Sequence, residues 1–262
     1  MKNYLSITKN RKNKMNLRYF ILTLLLLLVG IDKPFAQTSS PKYRILVDIA
    51  HKQKFWNDPE RMTGMDTNKV KRVISMTDQF KKTASNVNAE LSYISEEIKP
   101  ELLTNCRLLF IHIPSAQYTV NEISSITKYL EKGGALFLVM DEDYWSTLEQ
   151  TNVNDIIKPF GIHFGNQSPD TIIGGYTKAG IITSVNLRIP FEGGRIVQGG
   201  TPFCFDNQTE EYPFGTYMSL KNGGKIIVMG DGMVSLYMTK WKGINDYQCQ
   251  EFMHDIFKWL LE

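Results

Sequence analysis

The 262-residue chain has only three cysteines, Cys106, Cys204 and Cys249. They lie far apart and none belongs to a Cys-x-x-Cys pair, so the spacing of a structural zinc site is absent. One disulfide with a thiol left over fits the count, and three buried thiols behaving as small hydrophobes fit it more simply. No Gly-x-Ser-x-Gly elbow surrounds Ser115, and no internal repeat or long low-complexity tract is visible. A continuous apolar stretch of the roughly 20 residues needed to cross a bilayer is also lacking. The longest apolar-rich run, Tyr19–Val29, has 11 residues, Thr23 among them.

That run has a positive residue before it, Arg18, and a small-residue exit, "PFAQ", after it. The pattern is that of a secretory signal peptide over residues 1–37, with an uncleaved N-terminal anchor as the alternative. Met15 is a second candidate start. No cysteine follows the run, so a bacterial lipoprotein site is not expected. Residues 1–37 hold seven of the 30 Lys/Arg and one of the 27 Asp/Glu, leaving residues 38–262 with 23 basic and 26 acidic groups, a net of −3. The basic balance therefore belongs to the leader, and no basic patch points to a nucleic-acid partner. No stable membrane span is expected after leader removal, and the location expected is exported, periplasmic or extracellular.

What is present is an alternation of strand-like and helix-like segments. "YRILVDIAH", "AELSYI", "LLFIHI" and "ALFLVM" are apolar runs of strand length, and "GGKIIVMGDGMVS" restores that pattern late in the chain. Between them, "TNKVKRVISMTDQFKKTASNV" spaces Val70, Val73, Ile74 and Phe80 as a helix does, and "TVNEISSITKYLEKGG" puts Ile123, Ile126, Tyr129 and Leu130 on one face. Thr119 or Asn121 caps the second helix and Gly133–Gly134 stop it. "DYQCQEFMHDIFKWLLE" reads as a terminal amphipathic helix facing inward through Phe252, Ile256, Trp259 and Leu260. Continuous apolar strands between amphipathic helices predict an α/β fold with a doubly wound, mostly parallel, flavodoxin-like sheet. Residues 38–262 are expected to form one domain, with 166–224, rich in Gly, Pro, Asn and Thr, as a loop and β-hairpin insertion.

Open parallel sheets bind ligands beyond the carboxyl ends of their strands. Those ends carry Asp48 and His51, followed by Trp56, Asn57 and Asp58; His112 and Ser115; Asp141, Glu142, Asp143, Tyr144 and Trp145; and Asp231. Each has a plain structural alternative. The aspartates are turn or cap residues, His51 bonds a carbonyl, His112 is a satisfied core histidine, and Trp56, Tyr144 and Trp145 pack over the sheet edge. His163 and His254 are assigned no role. The ligand-binding candidates are Asp48, His51, Trp56, Asn57, Asp58, Ser115, Asp141, Asp143, Tyr144, Trp145 and Asp231.

The segments "RILVDIAHKQKFW", "LLFIHIPS", "YLEKGGALFLVMDEDYW", "NDIIKPFGIHF" and "GGKIIVMGDGMVS" together resemble a class I glutamine amidotransferase-like domain of the secreted bacterial branch. "FWNDPERMTGMD" and "YWSTLEQTNVND" are similar to domains accompanying family 88 unsaturated glycuronyl hydrolases. The resemblance implies a Cys nucleophile after the "LFLVM" strand and a His-Pro-Glu-like piece after the late strand. Here Asp141–Asp143 and "GDGMVS" stand instead, so thiol-based glutamine hydrolysis is not expected. No catalytic residue, metal or cofactor is assigned. The function expected is an exported non-catalytic binding or accessory module for polysaccharide utilisation, with a carbohydrate or a polysaccharide-degrading enzyme as partner. A carboxylate- or metal-dependent hydrolase using Asp141 and Asp143, and a structural docking domain of an envelope or transport complex, are the alternatives.

Overall fold

Strands with long apolar runs must be covered on both faces, and the sheet is built around four of them. The computed structural model describes residues 40–262; the expected leader and its apolar run lie outside the described residues. In chain order the elements are β1 (Tyr43–Asp48), α1 (Thr67–Asn86), β2 (Ala89–Ile94), α2 (Pro100–Leu103), β3 (Leu108–His112), α3 (Val120–Glu131), β4 (Ala135–Val139), α4 (Leu148–Thr151) and α5 (Asn154–Ile157). Then follow β5 (His163–Gln167), β6 (Gly175–Thr177), β7 (Arg188–Ile189), β8 (Arg195–Gln198), β9 (Thr201–Asp206), β10 (Pro213–Ser219), β11 (Lys225–Met229) and α6 (Cys249–Leu261).

Successive side chains of a strand point to opposite faces, and β4 shows the consequence. Phe137 and Val139 join a core with Val73 and Phe80 of α1 and Phe252 and Ile256 of α6. Leu136 and Leu138 join a second core with Ile126 and Leu130 of α3 and Ile156 of α5. Helices thus cover both faces of the parallel strands. Asp66 opens α1 by accepting the backbone N–H groups of Asn68 and Lys69, and Thr119 opens α3 in a capping box with Glu122. Gly133, at φ 93°, ends that helix in a conformation a side chain resists.

The main sheet has nine strands in the order β2-β1-β3-β4-β11-β10-β9-β6-β7. From β2 to β11 every pairing is parallel; from β11 to β7 every pairing is antiparallel. The protein is therefore a mixed α/β fold, and the expectation of a mostly parallel sheet is corrected. Much of the segment expected as an insertion extends the same sheet through β6, β7, β9 and β10, and only β5 and β8 pair as a separate ribbon. Antiparallel strands are joined by short turns and tolerate one wet face, so their Gly-, Pro- and Asn-punctuated sequence reads as loop. Pro41–Glu262 forms one compact unit, and among the described residues no helix is long and apolar enough to cross a membrane.

Candidate functional site

Parallel pairing puts the carboxyl ends of β1, β3, β4 and β11 on one edge. The register aligns Val47 with Phe110, His112 with Val139, and Val139 with Met229. Asp48, Ser115, Asp141 and Asp231 follow those positions by at most five residues, so all four belong to one rim.

At the end of β1, Asp48 is fully buried. Its Oδ1 accepts the backbone N–H of Ala50 at 3.0 Å and of His51 at 3.3 Å. Its Oδ2 accepts the Tyr118 hydroxyl at 2.7 Å and lies 2.9 Å from His51 Nδ1. The far side of the His51 ring meets a second acid, with Nε2 3.3 Å from Glu122 Oε1, and the ring stacks on Tyr118 at 3.7 Å. Burial alone would lower the His51 pKa, but Asp48 and Glu122 outweigh it and the pKa is raised. Glu122 also accepts the N–H groups of Ile98 and Thr119; against the effect of burial, these bonds and His51 hold its pKa low. The histidine is a clamp joining β1 to the start of α3.

A second acid cluster closes β4 and β11. Asp141 accepts the N–H of Glu142 at 2.8 Å and of Gly232 at 3.0 Å. Asp231 accepts the N–H of Glu192 at 3.0 Å and of Met233 at 2.7 Å. Burial raises the Asp141 pKa to about 7. Burial and then the neighbouring Asp141 carboxyl raise that of Asp231 well above the usual aspartate value. Beside them His112 Nε2 lies 2.9 Å from Ser235 Oγ, which donates to the Gly232 carbonyl. This serine–histidine contact is wholly buried, and burial lowers the His112 pKa to about 3. A neutral, enclosed imidazole of this kind joins elements rather than serving a substrate.

The other predicted site residues divide by exposure. Trp56 is only 1% exposed and packs edge-to-face on Phe80 and Phe110 at 4.9 and 5.6 Å. Its proposed role as a stacking surface is corrected, because its ring belongs to the core. Asp48, His51, Asp141 and Asp231 are likewise buried, and their polar atoms tie neighbouring elements together. Asn57 accepts the Asp58 N–H, and Asp58 caps the short turn Pro59–Arg61. Ser115 donates its hydroxyl to the Lys52 carbonyl at 2.5 Å and its N–H to the His51 carbonyl at 2.9 Å, so the hydroxyl is committed to the backbone and not to a histidine ring. Asp143 and Tyr144 are exposed, and Trp145 is half-buried, as Asn57, Asp58 and Ser115 also are. Asp143 pairs with Arg195, Tyr144 is 79% exposed, and half-buried Trp145 contacts Phe55 at 4.9 Å and Tyr144 at 4.8 Å. Arg72 of α1 lies over the Phe55 ring at 5.2 Å, which extends the aromatic row.

Tyr118, Glu122, Arg195 and Ser235 take part in these networks without having been singled out. The capping signature Thr119–Glu122 marks the position of Glu122, whereas Arg195 gives no local signal because its acid partner is 52 residues away. Ile113, just past β3, is buried with φ 46°, a strained setting for a β-branched residue. Its N–H donates to Val139 and its carbonyl accepts from Lys54. Among the described residues, no group of three or more His, Cys, Asp or Glu is arranged to hold a metal ion. The three thiols are free, and burial raises each: Cys106 to about 11, Cys249 to about 12, and Cys204 well above the usual thiol value.

Residues 65–176 match the model of the IFT52 GIFT domain. The human intraflagellar transport protein 52 homolog is 23% identical over 66% of this chain and 47% of its own length. The chain thus spans about half the length of the curated relative it matches. The solved mmIFT52 N-terminal domain superposes with a TM-score of 0.58 at 18% identity, covering 83% of this chain and 96% of that one. The α-L-fucosidase isoenzyme 2 from Paenibacillus thiaminolyticus reaches 0.51 at 9% identity, over 84% of this chain and 33% of that one. Likeness at these identities establishes shared fold alone.

The match to the IFT52 GIFT domain overturns the resemblance to a bacterial class I glutamine amidotransferase-like domain. That resemblance rested on apolar strands and a Gly-Gly helix stop, which parallel-sheet proteins of unrelated function share. The exported polysaccharide-utilisation module falls with it, as do the carbohydrate hydrolase and the envelope docking domain. Carbohydrate and polysaccharide-degrading enzymes as partners, and the periplasmic or extracellular location, are corrected by the same finding.

Proposed function

We propose that this chain is an IFT52-like component of intraflagellar transport whose task is to bind other proteins of such an assembly. The observation that carries the reading is the match of residues 65–176 to the IFT52 GIFT domain. The rim agrees with it. Its buried carboxylates are occupied by backbone donors, and the accessible side chains include Arg72, Tyr144 and Trp145, with Asp143 held by the buried Arg195. Tyr, Trp and Arg are the side chains that dominate protein–protein contacts, because each adds apolar area beside a polar handle. Arg72, Asp143, Tyr144 and Trp145 all lie inside the matched stretch. Ser115, Asn57 and Asp58 flank this surface in the proposal, while Asp48, His51, Asp141 and Asp231 hold its loops in shape.

We further propose that β2, β1, β3, β4 and β11 make a flavodoxin-like, doubly wound unit within a single domain of residues 38–262. The strand order and the helices on both faces support this. The test is co-expression with the other subunits of an intraflagellar transport complex, followed by size-exclusion chromatography. Co-elution is expected, and the double substitution Tyr144→Ala with Trp145→Ala is expected to weaken it at least tenfold while leaving thermal unfolding nearly unchanged. Elution of the unsubstituted chain alone, whatever subunits are offered, removes the reading.

A further inference from the structure

The amino ends of β3 and β4, at the edge opposite the rim, border a cavity of about 390 Å³ between α2, the last turns of α3 and Gly133–Gly134. Leu103, Cys106 and Tyr129 contribute apolar lining, and Arg107, Lys128 and Lys132 contribute all of its charge, with no carboxylate among the lining residues. Among the described residues none of these three cations has an acid partner within ion-pair distance. Lys128 and Lys132 stand one helical turn apart, a spacing at which like charges repel. The dipole of α3 favours cations at its carboxyl end, but that does not account for Arg107, which comes from the chain entering β3.

The walls are held in place. Arg107 donates from Nε to the Leu261 carbonyl at 3.0 Å and from Nη1 to the Gly133 carbonyl. The Tyr129 hydroxyl donates to the Ala135 carbonyl at 3.0 Å and accepts the Ala135 N–H at 3.1 Å. A Cβ at Gly134 would come within 2.3 Å of the Tyr129 ring, so glycine there lets the ring seat. A preformed, uncompensated cationic cavity with apolar lining fits an acidic, partly apolar ligand whose binding cost is reduced by the rigid walls.

We propose that this cavity binds an acidic peptide segment of a partner protein, with its carboxylates on Arg107, Lys128 and Lys132. The site is distinct from the rim and does not rest on the function proposed above. A peptide is favoured over nucleic acid because the one aromatic ring lining the cavity, Tyr129, is buried and presents no open face. Single-stranded nucleic acid needs exposed rings on which to stack. A peptide is favoured over free phosphate because a cavity of about 390 Å³ is larger than one small anion needs.

The test is fluorescence anisotropy of a labelled hexaglutamate peptide titrated with the full chain. Saturable binding that weakens with added salt is expected. Lys128→Glu with Lys132→Glu is expected to weaken it at least tenfold, and Lys128→Gln with Lys132→Gln by a smaller factor. A control, Lys42→Glu with Lys258→Glu, alters a neighbouring cavity on the same edge and is expected to stay within twofold. Absence of saturable binding overturns the proposal, as does equal loss in the two charge-reversed variants, which would indicate a diffuse field. Displacement of the peptide by inorganic phosphate or hexathymidylate at lower concentration than by unlabelled hexaglutamate also overturns it.

Discussion

Single side chains at the rim trade charge for burial, and the trade depends on pH. Burial raises the Asp141 pKa to about 7, against about 3.9 for an unfolded aspartate. The folded chain therefore holds more protons than the unfolded chain between those values, and stability must fall as pH rises through that window. Burial and Asp141 raise Asp231 as well, with the same sign. For His51, burial works downward but Asp48 and Glu122 prevail. Its contribution is complete below about 6.5 and is lost as pH rises through the raised folded value. Glu122 acts in the opposite sense, contributing above its unfolded value and losing ground in acid. Chemical denaturation is expected to show a chain more stable at pH 5.5 than at pH 8.5 by on the order of 2 kcal/mol. Asp141→Asn, which keeps the site neutral, should flatten that slope, so that wild type and variant are close in acid and the variant becomes the more stable toward alkaline pH. A wild-type profile flat across this range contradicts the burial argument. None of this is visible in "VMDEDYW", where three adjacent acids look alike. Coordinates separate buried Asp141 from exposed Asp143, because only the first lies against the Gly232 N–H.

Among the elements, α3 shows how one local signal carries a second, non-local duty. Thr119 and Glu122 form the capping box that starts the helix. Thr119→Ala is expected to cost about 1 kcal/mol, as cap removals do. Glu122→Ala is expected to cost on the order of 3 kcal/mol, because it also orphans the Ile98 N–H and leaves His51 with one acid. Urea denaturation of the two variants measures the difference, and equal costs would mean that the clamp contributes nothing. The helix, its cap and its glycine stop are legible from spacing because they depend on residues three and four apart. The bond to Ile98 crosses 24 positions and leaves no local trace.

At the scale of the whole molecule, the parallel and antiparallel halves of the sheet meet where β11 runs into Gly230. The Gly230 carbonyl accepts the Arg195 N–H at 2.7 Å, and its own N–H donates to Phe214 at 2.6 Å. A Cβ there would come within 1.9 Å of the Arg195 carbonyl oxygen, which is backbone and has little freedom to retreat. Gly230→Ala is therefore expected to destabilise the compact unit by about 3 kcal/mol or more. Both halves should melt together in one calorimetric transition. Two separated transitions would show that the antiparallel half is an independent unit rather than a continuation of the sheet.

The sequence alone determined the parallel half, its covering helices and the rim on which the strand ends converge. Apolar periodicity and end signals are local, and parallel strands aim their carboxyl ends the same way. Only the tertiary structure decided which rim residues stay accessible and that 166–224 extends the sheet. It also decided that Trp56 is core, and that three cations surround a cavity at the far edge. Burial and pairing depend on contacts between residues tens of positions apart, and a residue's identity does not reveal what will lie against it.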